Sequence, residues 1–353
     1  MTITKVWCVN EAEKQPLRAQ LQEAASLLGE GGLVAFPTET VYGLGADARS
    51  TAAVERIFAA KGRPSDNPLI VHIADRRQLN ELVLPYPQLA SALMDRFWPG
   101  PLTIVLPARP GALSPLVTAG LPTVGIRIPD HKVAIELLEL AGCPVAAPSA
   151  NRSGRPSPTL AEHVLDDLDG RIDGVVDGGA TGVGLESTVI ELDGDRTIRI
   201  LRPGGITREE LQTAAPDAAV DSASADEPEA VPRSPGMKYT HYAPQGELQL
   251  VQGAPGAVIA YIRSQVEAAQ QRGEVTGVLA FEERFAAYEA DIVVSCGSES
   301  ELTDAAHRLY AALRRFDAAG AQRIWAESCT EHGIGAALMN RMAKAAGNRI
   351  IYV

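Results

Sequence analysis

Cysteine is scarce in this chain of 353 residues: Cys8, Cys143, Cys296 and Cys329 stand far apart, with no CxxC pair. Such spacing argues against a zinc ribbon, a redox dithiol or a disulfide framework, and leaves buried free thiols as the expectation. No stretch approaches the roughly 18 uninterrupted apolar residues that a membrane span needs, so no membrane role is expected. The beginning, MTITKVWCVNEAEK, turns polar and acidic where a secretory signal would be apolar, which predicts a cytoplasmic protein. The six histidines form no HExxH or paired HxH, and there is no GxSxG, so hydrolytic zinc and serine chemistry are disfavoured. Basic excess is missing as well. A net charge of −12 gives no global attraction to nucleic acid, although a local basic pocket can still hold phosphates.

A hydrophobic fraction of 46% with 22% charged residues is that of a globular protein, and the length calls for two domains, each able to bury a core. The sharpest shift in composition is AAPDAAVDSASADEPEAVP at 214–232, acidic and poor in large apolar residues. It reads as a linker, because it cannot bury enough surface to offset its ordering entropy. The next piece, SPGMKYTHYAP at 234–244, carries Lys238, Tyr239, His241 and Tyr242 within Gly/Pro punctuation, and reads as an ordered strap. The boundaries expected are 1–206 for a first domain, 207–244 for linker and strap, and 245–353 for a second domain.

In the first domain Leu17, Leu21, Ala24, Leu27 and Leu28 recur at helical spacing, and GLVAF follows as a buried strand. The runs LIVHIA, TIVLPA, TVGIRIP and GVVDGG alternate with helical stretches at 51–60, 87–97, 131–141 and 160–168. Two β-rich runs flank Asp193-Gly194, a strong hairpin signal, so an α/β domain with a mixed sheet is predicted. After the strap, LQLVQG, GVLAF, DIVVSCG and RIWAES alternate with helices near 257–271, 299–319 and 335–346. That is the pattern of βα units on a parallel sheet, here without the GxGxxG of a dinucleotide site.

Four clusters carry candidate chemistry. FPTETVYGLG at 36–45 runs a strand into a loop carrying Thr38, Glu39, Thr40 and Tyr42 with Gly43 and Gly45, where glycines admit a ligand to the backbone and hydroxyls could hold a small polar substrate or simply close a turn. AKGRPSDNPLIVHI at 60–73 offers Lys61, Arg63 and Asn67 before a strand bearing His72. The two cations suit neighbouring phosphates, and equally suit the C-terminal carbonyls of a helix. His72 lies between apolar neighbours, as a core or edge histidine does. PSANRSGRPSPT at 148–159 crowds Ser149, Asn151, Ser153 and Ser157 with two arginines, as a phosphate- or ribose-binding loop or a solvated one would. GGATGVGLEST and LRPGG bring Ser187, Thr188 and Arg202, but Leu185 stands where a Walker A loop requires Lys. Donors far outnumber candidate bases, which suits a reaction limited by positioning and by neutralising phosphates, such as adenylyl transfer.

Taken in series, PTETVYGLG, KGRPSDNPLIVH, WPGPLT, TVGIRIP, APSANRSG, ESTV and LRPG resemble the YrdC-like family of threonylcarbamoyl-AMP synthases. The resemblance covers residues 16–206, and the strap with a Rossmann-like tail is similar to the family's long, two-domain form. It implies a YrdC-like mixed twisted sheet with helices forming a concave pocket, plus a smaller C-terminal Rossmann-like parallel α/β domain. It also implies an enzyme that joins L-threonine, bicarbonate and ATP into threonylcarbamoyl-AMP, with release of pyrophosphate. Lys61, Arg63, Asn67, Thr123, Ser149, Ser157 and Arg202 would contact ATP, with Asn151 and Tyr242 added to that set and Lys61 and Arg63 carrying the catalytic charge. Thr40, His72, Arg127, Ala147 through its backbone, and Ser187 would surround threonine, with Thr38 a further candidate. Mg²⁺ would arrive with ATP and keep mostly phosphate and water ligands, so no protein metal site is expected. The product would pass to a tRNA-modifying threonylcarbamoyl transferase complex, and the strap would act as a lid. Two rivals are a non-catalytic RNA-binding module, whose binding would weaken steeply with salt, and a synthase working on carbamoyl phosphate.

Overall fold

The computed structural model describes residues 3–9, 16–222 and 241–353. The chain divides into two compact units: Met1–Ser153 with Pro158–Gly182 and Glu186–Lys238, and Gly154–Ser157 with Val183–Leu185 and Tyr239–Val353.

Among the described residues the first unit is built on a sheet of eleven strands. Across it run Lys5–Cys8, Gly174–Asp177, Val34–Phe36, Gly43–Asp47, Val145–Ala146, Ile70–His72, Thr123–Arg127, Leu102–Pro107, Thr188–Asp193, Thr197–Arg202 and Ala219–Ser222. The sheet is mixed, as expected: Ile70–His72 pairs parallel with Thr123–Arg127, which pairs antiparallel with Leu102–Pro107, and the hairpin about Asp193-Gly194 is antiparallel. The expected helices form at Leu17–Gly29, Thr51–Lys61, Gln88–Phe97, Lys132–Ala141 and Ala161–Leu168.

Strand side chains alternate between the two faces, and here the alternation sorts two cores. Val34 and Phe36 pack with helices Leu17–Gly29 and Lys132–Ala141, whereas the intervening Ala35 joins the larger core with Leu44, Val54, Ile57, Val71, Ile104 and Ile126. Such double burial is why these strands read as continuous apolar runs.

Two expectations need correction. Gly43 and Gly45, read as loop glycines admitting a ligand, lie in the strand Gly43–Asp47. A Cβ at Gly45 would meet Phe36 Cε1 and Val145 Cγ1, both at 2.9 Å, so this glycine admits neighbouring side chains of the sheet. Gly45→Ala is expected to destabilise the protein by about 1–3 kcal/mol through overpacking, measurable by urea unfolding. The acidic segment read as a linker from 214 begins too early. Ala219–Ser222 is a strand beside Thr197–Arg202, and Arg208–Ala214 is a helix whose Arg208 donates to the Val220 carbonyl at 2.8 Å. Main-chain pairing needs no large side chain, so its acidic composition concealed the strand. Of the cysteines, Cys143, Cys296 and Cys329 are buried as expected, but Cys8 on an edge strand is exposed.

Among the described residues the second unit holds a five-stranded sheet, every pair parallel, in the order Ile292–Ser295, Thr276–Ala280, Arg323–Glu327, Glu247–Gln252, Ile350–Tyr352. Helices Pro255–Gln271, Leu302–Ala318 and Gly335–Ala345 match the expected βα pattern. Ile350–Tyr352, a three-residue edge strand, escaped the sequence reading.

Candidate functional site

Cross-strand partners in a sheet point to the same face, so register alone assembles part of the site. His72 pairs with Arg127, and Thr123 lies four residues before Arg127 on the same strand, hence on the same face. At about 3.3 Å per residue their Cα atoms are roughly 13 Å apart. The opposite face at this place belongs to Val71, Ile104, Val124 and Ile126 of the large core.

Against Arg127 sits the turn from Thr38 to Val41. Thr38 Oγ1 donates to the Val41 carbonyl at 2.7 Å and lies 2.8 Å from Thr40 Oγ1, so Thr38 does close a turn, as its bland reading holds. That turn aims its next two side chains at Arg127: Nη1 donates to Thr40 Oγ1 at 3.0 Å and Nη2 to Glu39 Oε2 at 2.8 Å. The sequence places Glu39 in this candidate loop but assigns it no role. Nothing near it in sequence is cationic, and its partner lies 88 residues away. Burial lifts the Glu39 carboxyl above its ordinary range against the pull of Arg127, and burial lowers the Arg127 guanidinium against the pull of Glu39.

Burial, reinforced by the Arg127 charge, holds the His72 imidazole well below its usual value. Its neutral form therefore favours folding. This contribution is complete above the unfolded value of 6.5 and is lost as pH falls below it, because only the unfolded chain then takes up the proton. We expect stability to decline by about 1.4 kcal/mol per pH unit from this group below that point, until its folded-state value is reached. His72→Gln should show a shallower decline in urea unfolding between pH 7 and pH 5.5, and an equal decline would refute the assignment.

A second constellation surrounds Lys61, at the end of helix Thr51–Lys61. Its buried Nζ donates to the Ser149 carbonyl at 2.6 Å and the Asn151 carbonyl at 2.5 Å, binding the 149–151 loop to the helix. Ser149 Oγ in turn lies 2.5 Å from Asn151 Oδ1. Burial and the neighbouring Arg63 charge pull the Lys61 ammonium well below its ordinary value, with Asp167 opposing. Arg63 itself is half-buried and lines a cavity of about 540 Å³ with Glu55, Phe58 and Gly62. Asn67 is 1% exposed, and neither its Oδ1 nor its Nδ2 has a hydrogen-bond partner.

The third constellation centres on Ser187. Arg202, expected as a charge clamp, turns its fork onto this residue, with Nη2 donating to the Ser187 carbonyl at 2.9 Å and to Oγ at 3.2 Å. Thr103 Oγ1, also missed by the sequence reading, lies 2.8 Å from Ser187 Oγ. Gly204 of LRPGG presses on the same segment: a Cβ there would lie 2.3 Å from the Glu186 carbonyl and 2.4 Å from Thr188 N. That backbone cannot yield cheaply, so Gly204→Ala is expected to displace Ser187 and to lower kcat/KM out of proportion to its loss of thermal stability. Steady-state kinetics beside thermal melts would show it. Ala147 donates its N–H to the Ile70 carbonyl at 3.0 Å, joining its segment to the strand that carries His72.

A curated relative from Bacillus subtilis, named threonylcarbamoyl-AMP synthase, is 53% identical over 99% of this chain and 99% of its own length. The chain belongs to the threonylcarbamoyl-AMP synthase family. A family model described as telomere recombination matches residues 26–204, and one described as threonylcarbamoyl-AMP synthase, C-terminal domain, matches 206–347. A relative of the same name from Pyrococcus abyssi is 45% identical, with 95% of this chain and 96% of that one covered. The crystal structure of P. abyssi Sua5 complexed with L-threonine superposes with a TM-score of 0.91 at 44% identity, covering 99% of this chain and 100% of that one. The two-domain form expected from the sequence is thus the form of these synthases.

The remaining candidates of the synthase pattern, Ser157 and Tyr242, lie in the second unit. There the Tyr242 ring is buried, packs 5.3 Å from that of Tyr310 and lies 5.5 Å from the Arg341 guanidinium carbon. Arg314 Nη2 donates to the Pro156 carbonyl at 2.6 Å, next to Ser157. Lys238 and Tyr239, with most of the expected lid, lie outside the described residues. Among the described residues no three His, Cys, Asp or Glu side chains group as a metal site, and no helix is long and apolar enough to cross a membrane.

Proposed function

We propose that this synthase binds L-threonine over the Thr38–Val41 turn, His72, Arg127, Ala147 and Ser187, and binds ATP through Lys61, Arg63, Asn67, Thr123, Ser149, Asn151 and Arg202. The observation that carries this reading is the set of buried polar atoms without hydrogen-bond partners at His72, Arg127 and Asn67, all on residues of the proposed set. Buried polar groups are rarely left unmatched, and a polar ligand would match them.

In the reaction the threonine amine attacks the carbon of bicarbonate and water leaves, giving a carbamate. A carbamate oxygen then attacks the α-phosphorus of ATP and pyrophosphate departs, which yields threonylcarbamoyl-AMP. Arg127 would orient the amino acid by its carboxylate, while Lys61 and Arg63 would neutralise charge developing on the phosphates. Mg²⁺ fits as a companion of the triphosphate rather than as a ligand of a protein cage, given that the surrounding donors are ammonium, guanidinium, amide and hydroxyl. The reading includes a cytoplasmic enzyme whose product goes to a transferase complex that modifies adenosine at tRNA position 37.

The test is pyrophosphate release from ATP and bicarbonate with L-threonine, with L-serine and with no amino acid, the adenylate being identified by mass. Threonine-dependent release of a threonylcarbamoyl-AMP mass is expected. Release that ignores the amino acid would sink the proposal.

A further inference from the structure

The pair formed by Glu39 and Arg127 is only half satisfied. Glu39 is 9% exposed and Arg127 3%, yet Glu39 Oε1 and Arg127 Nε both lack a hydrogen-bond partner, while Oε2 and the two Nη atoms are engaged. Burying an ion pair is costly even when every lone pair and proton is matched, and an unmatched acceptor adds to that cost. A ligand presenting a negative and a positive group side by side would match both atoms. The zwitterion of an α-amino acid is such a ligand, whereas a simple anion would satisfy Arg127 and be repelled by Glu39.

We propose that Glu39 receives the α-ammonium of L-threonine on Oε1 and takes up its proton as the amine is carbamoylated. The inference rests on the function proposed above. The balance is one ammonium, one bicarbonate and one Glu39 carboxylate going to one carbamate, one water and one Glu39 carboxylic acid. The nitrogen lone pair forms the N–C bond, and a C–O bond of bicarbonate breaks as water departs. Burial and the Asp130 charge favour the acid form of Glu39, while Arg127 and the backbone N–H groups of Glu39 and Asp130 favour the carboxylate. His72 Nδ1 is also unpartnered, but burial and Arg127 both oppose a charge on that ring, so it is the poorer acceptor of a proton.

Glu39→Gln keeps the volume and an acceptor for Arg127 but loses the charge. The test measures binding of L-threonine, of 2,3-dihydroxybutyrate, which has a hydroxyl in place of the ammonium, and of ATP, together with steady-state kinetics. The wild type is expected to prefer threonine to the dihydroxy acid by on the order of tenfold to a hundredfold, the range of one charge-assisted hydrogen bond. Glu39→Gln should erase that preference and leave ATP binding near wild type, while lowering the melting temperature because Arg127 keeps its buried charge without a counter-charge, and Glu39→Asp should restore part of the preference. Preference retained in Glu39→Gln, or threonine and ATP binding lost in equal measure, would overturn the role of Glu39. A wild type without threonine-dependent pyrophosphate release would overturn the proposed function beneath it.

Discussion

Replacing Arg127 by Met is expected to abolish threonine-dependent turnover and to destabilise the fold by about 3–5 kcal/mol, the usual result of removing one partner from a buried ion pair. Glu39 would remain, 9% exposed, with its one salt-bridge partner among the described residues gone. Its carboxyl, already raised by burial, would rise further. A raised folded-state value means that the penalty is absent below the unfolded value of 4.5 and grows as pH rises through the interval up to the folded one. The deficit of Arg127→Met should therefore narrow as unfolding is measured from pH 7 down toward pH 5. The double variant Arg127→Met with Glu39→Gln removes both charges and should recover most of the stability without recovering turnover. Were the double variant as unstable as the single one, the ion pair would not be the source of the loss.

Lys61→Ala is the second large effect. One ammonium serves two purposes, as an anchor for the Ser149 and Asn151 carbonyls and as a proposed phosphate contact. Loss of one preorganised donor to developing charge typically lowers kcat by a hundredfold to a thousandfold, about 2.7–4 kcal/mol. The anchoring makes the effect larger here, because Ser149 and Asn151 lose their position together with the charge. We expect kcat/KM for ATP to fall by at least that range. Arg63 donates at 3.4 Å to the Asn67 and Pro68 carbonyls of its own segment, so Arg63→Ala should impair turnover while leaving the 149–151 loop in place. Protection of the 149–153 amides from hydrogen exchange would separate the two: reduced in Lys61→Ala, unchanged in Arg63→Ala. Wild-type turnover in both variants would refute their placement at the phosphates.

Much of this was legible in the sequence because it is local. Helical periodicity located Thr51–Lys61 and Lys132–Ala141, the Asp193-Gly194 turn announced the hairpin, and the motif clusters gathered nearly all candidate residues. What escaped depends on distance along the chain. Glu39 gained a role only when folding brought Arg127 beside it, and Thr103 became a candidate only when it reached Ser187 Oγ. Gly45 and Gly204 are glycines because of atoms contributed by other segments. The helix Arg208–Ala214 did carry a local sign, the capping box of Thr207 and Glu210, which the acidic composition that follows obscured. Both rivals drawn from the sequence yield to the family assignment, which rests on relatives matched over nearly the whole chain.

The alternation of side chains along Ile70–His72, Thr123–Arg127 and Leu102–Pro107 gives these strands something like a reading frame with a period of two. In frame, Arg127 and His72 face the site while Ile126 and Val71 face the core. Inserting or deleting one residue inside any of the three would exchange the roles, sending a guanidinium into the core and an isoleucine into the site. Stability and chemistry would fail in one step, with no intermediate sequence that keeps either. The turn at Asp193-Gly194 lies beyond this frame, so changes of length accumulated by descent should collect in such turns and spare the parity of the three strands.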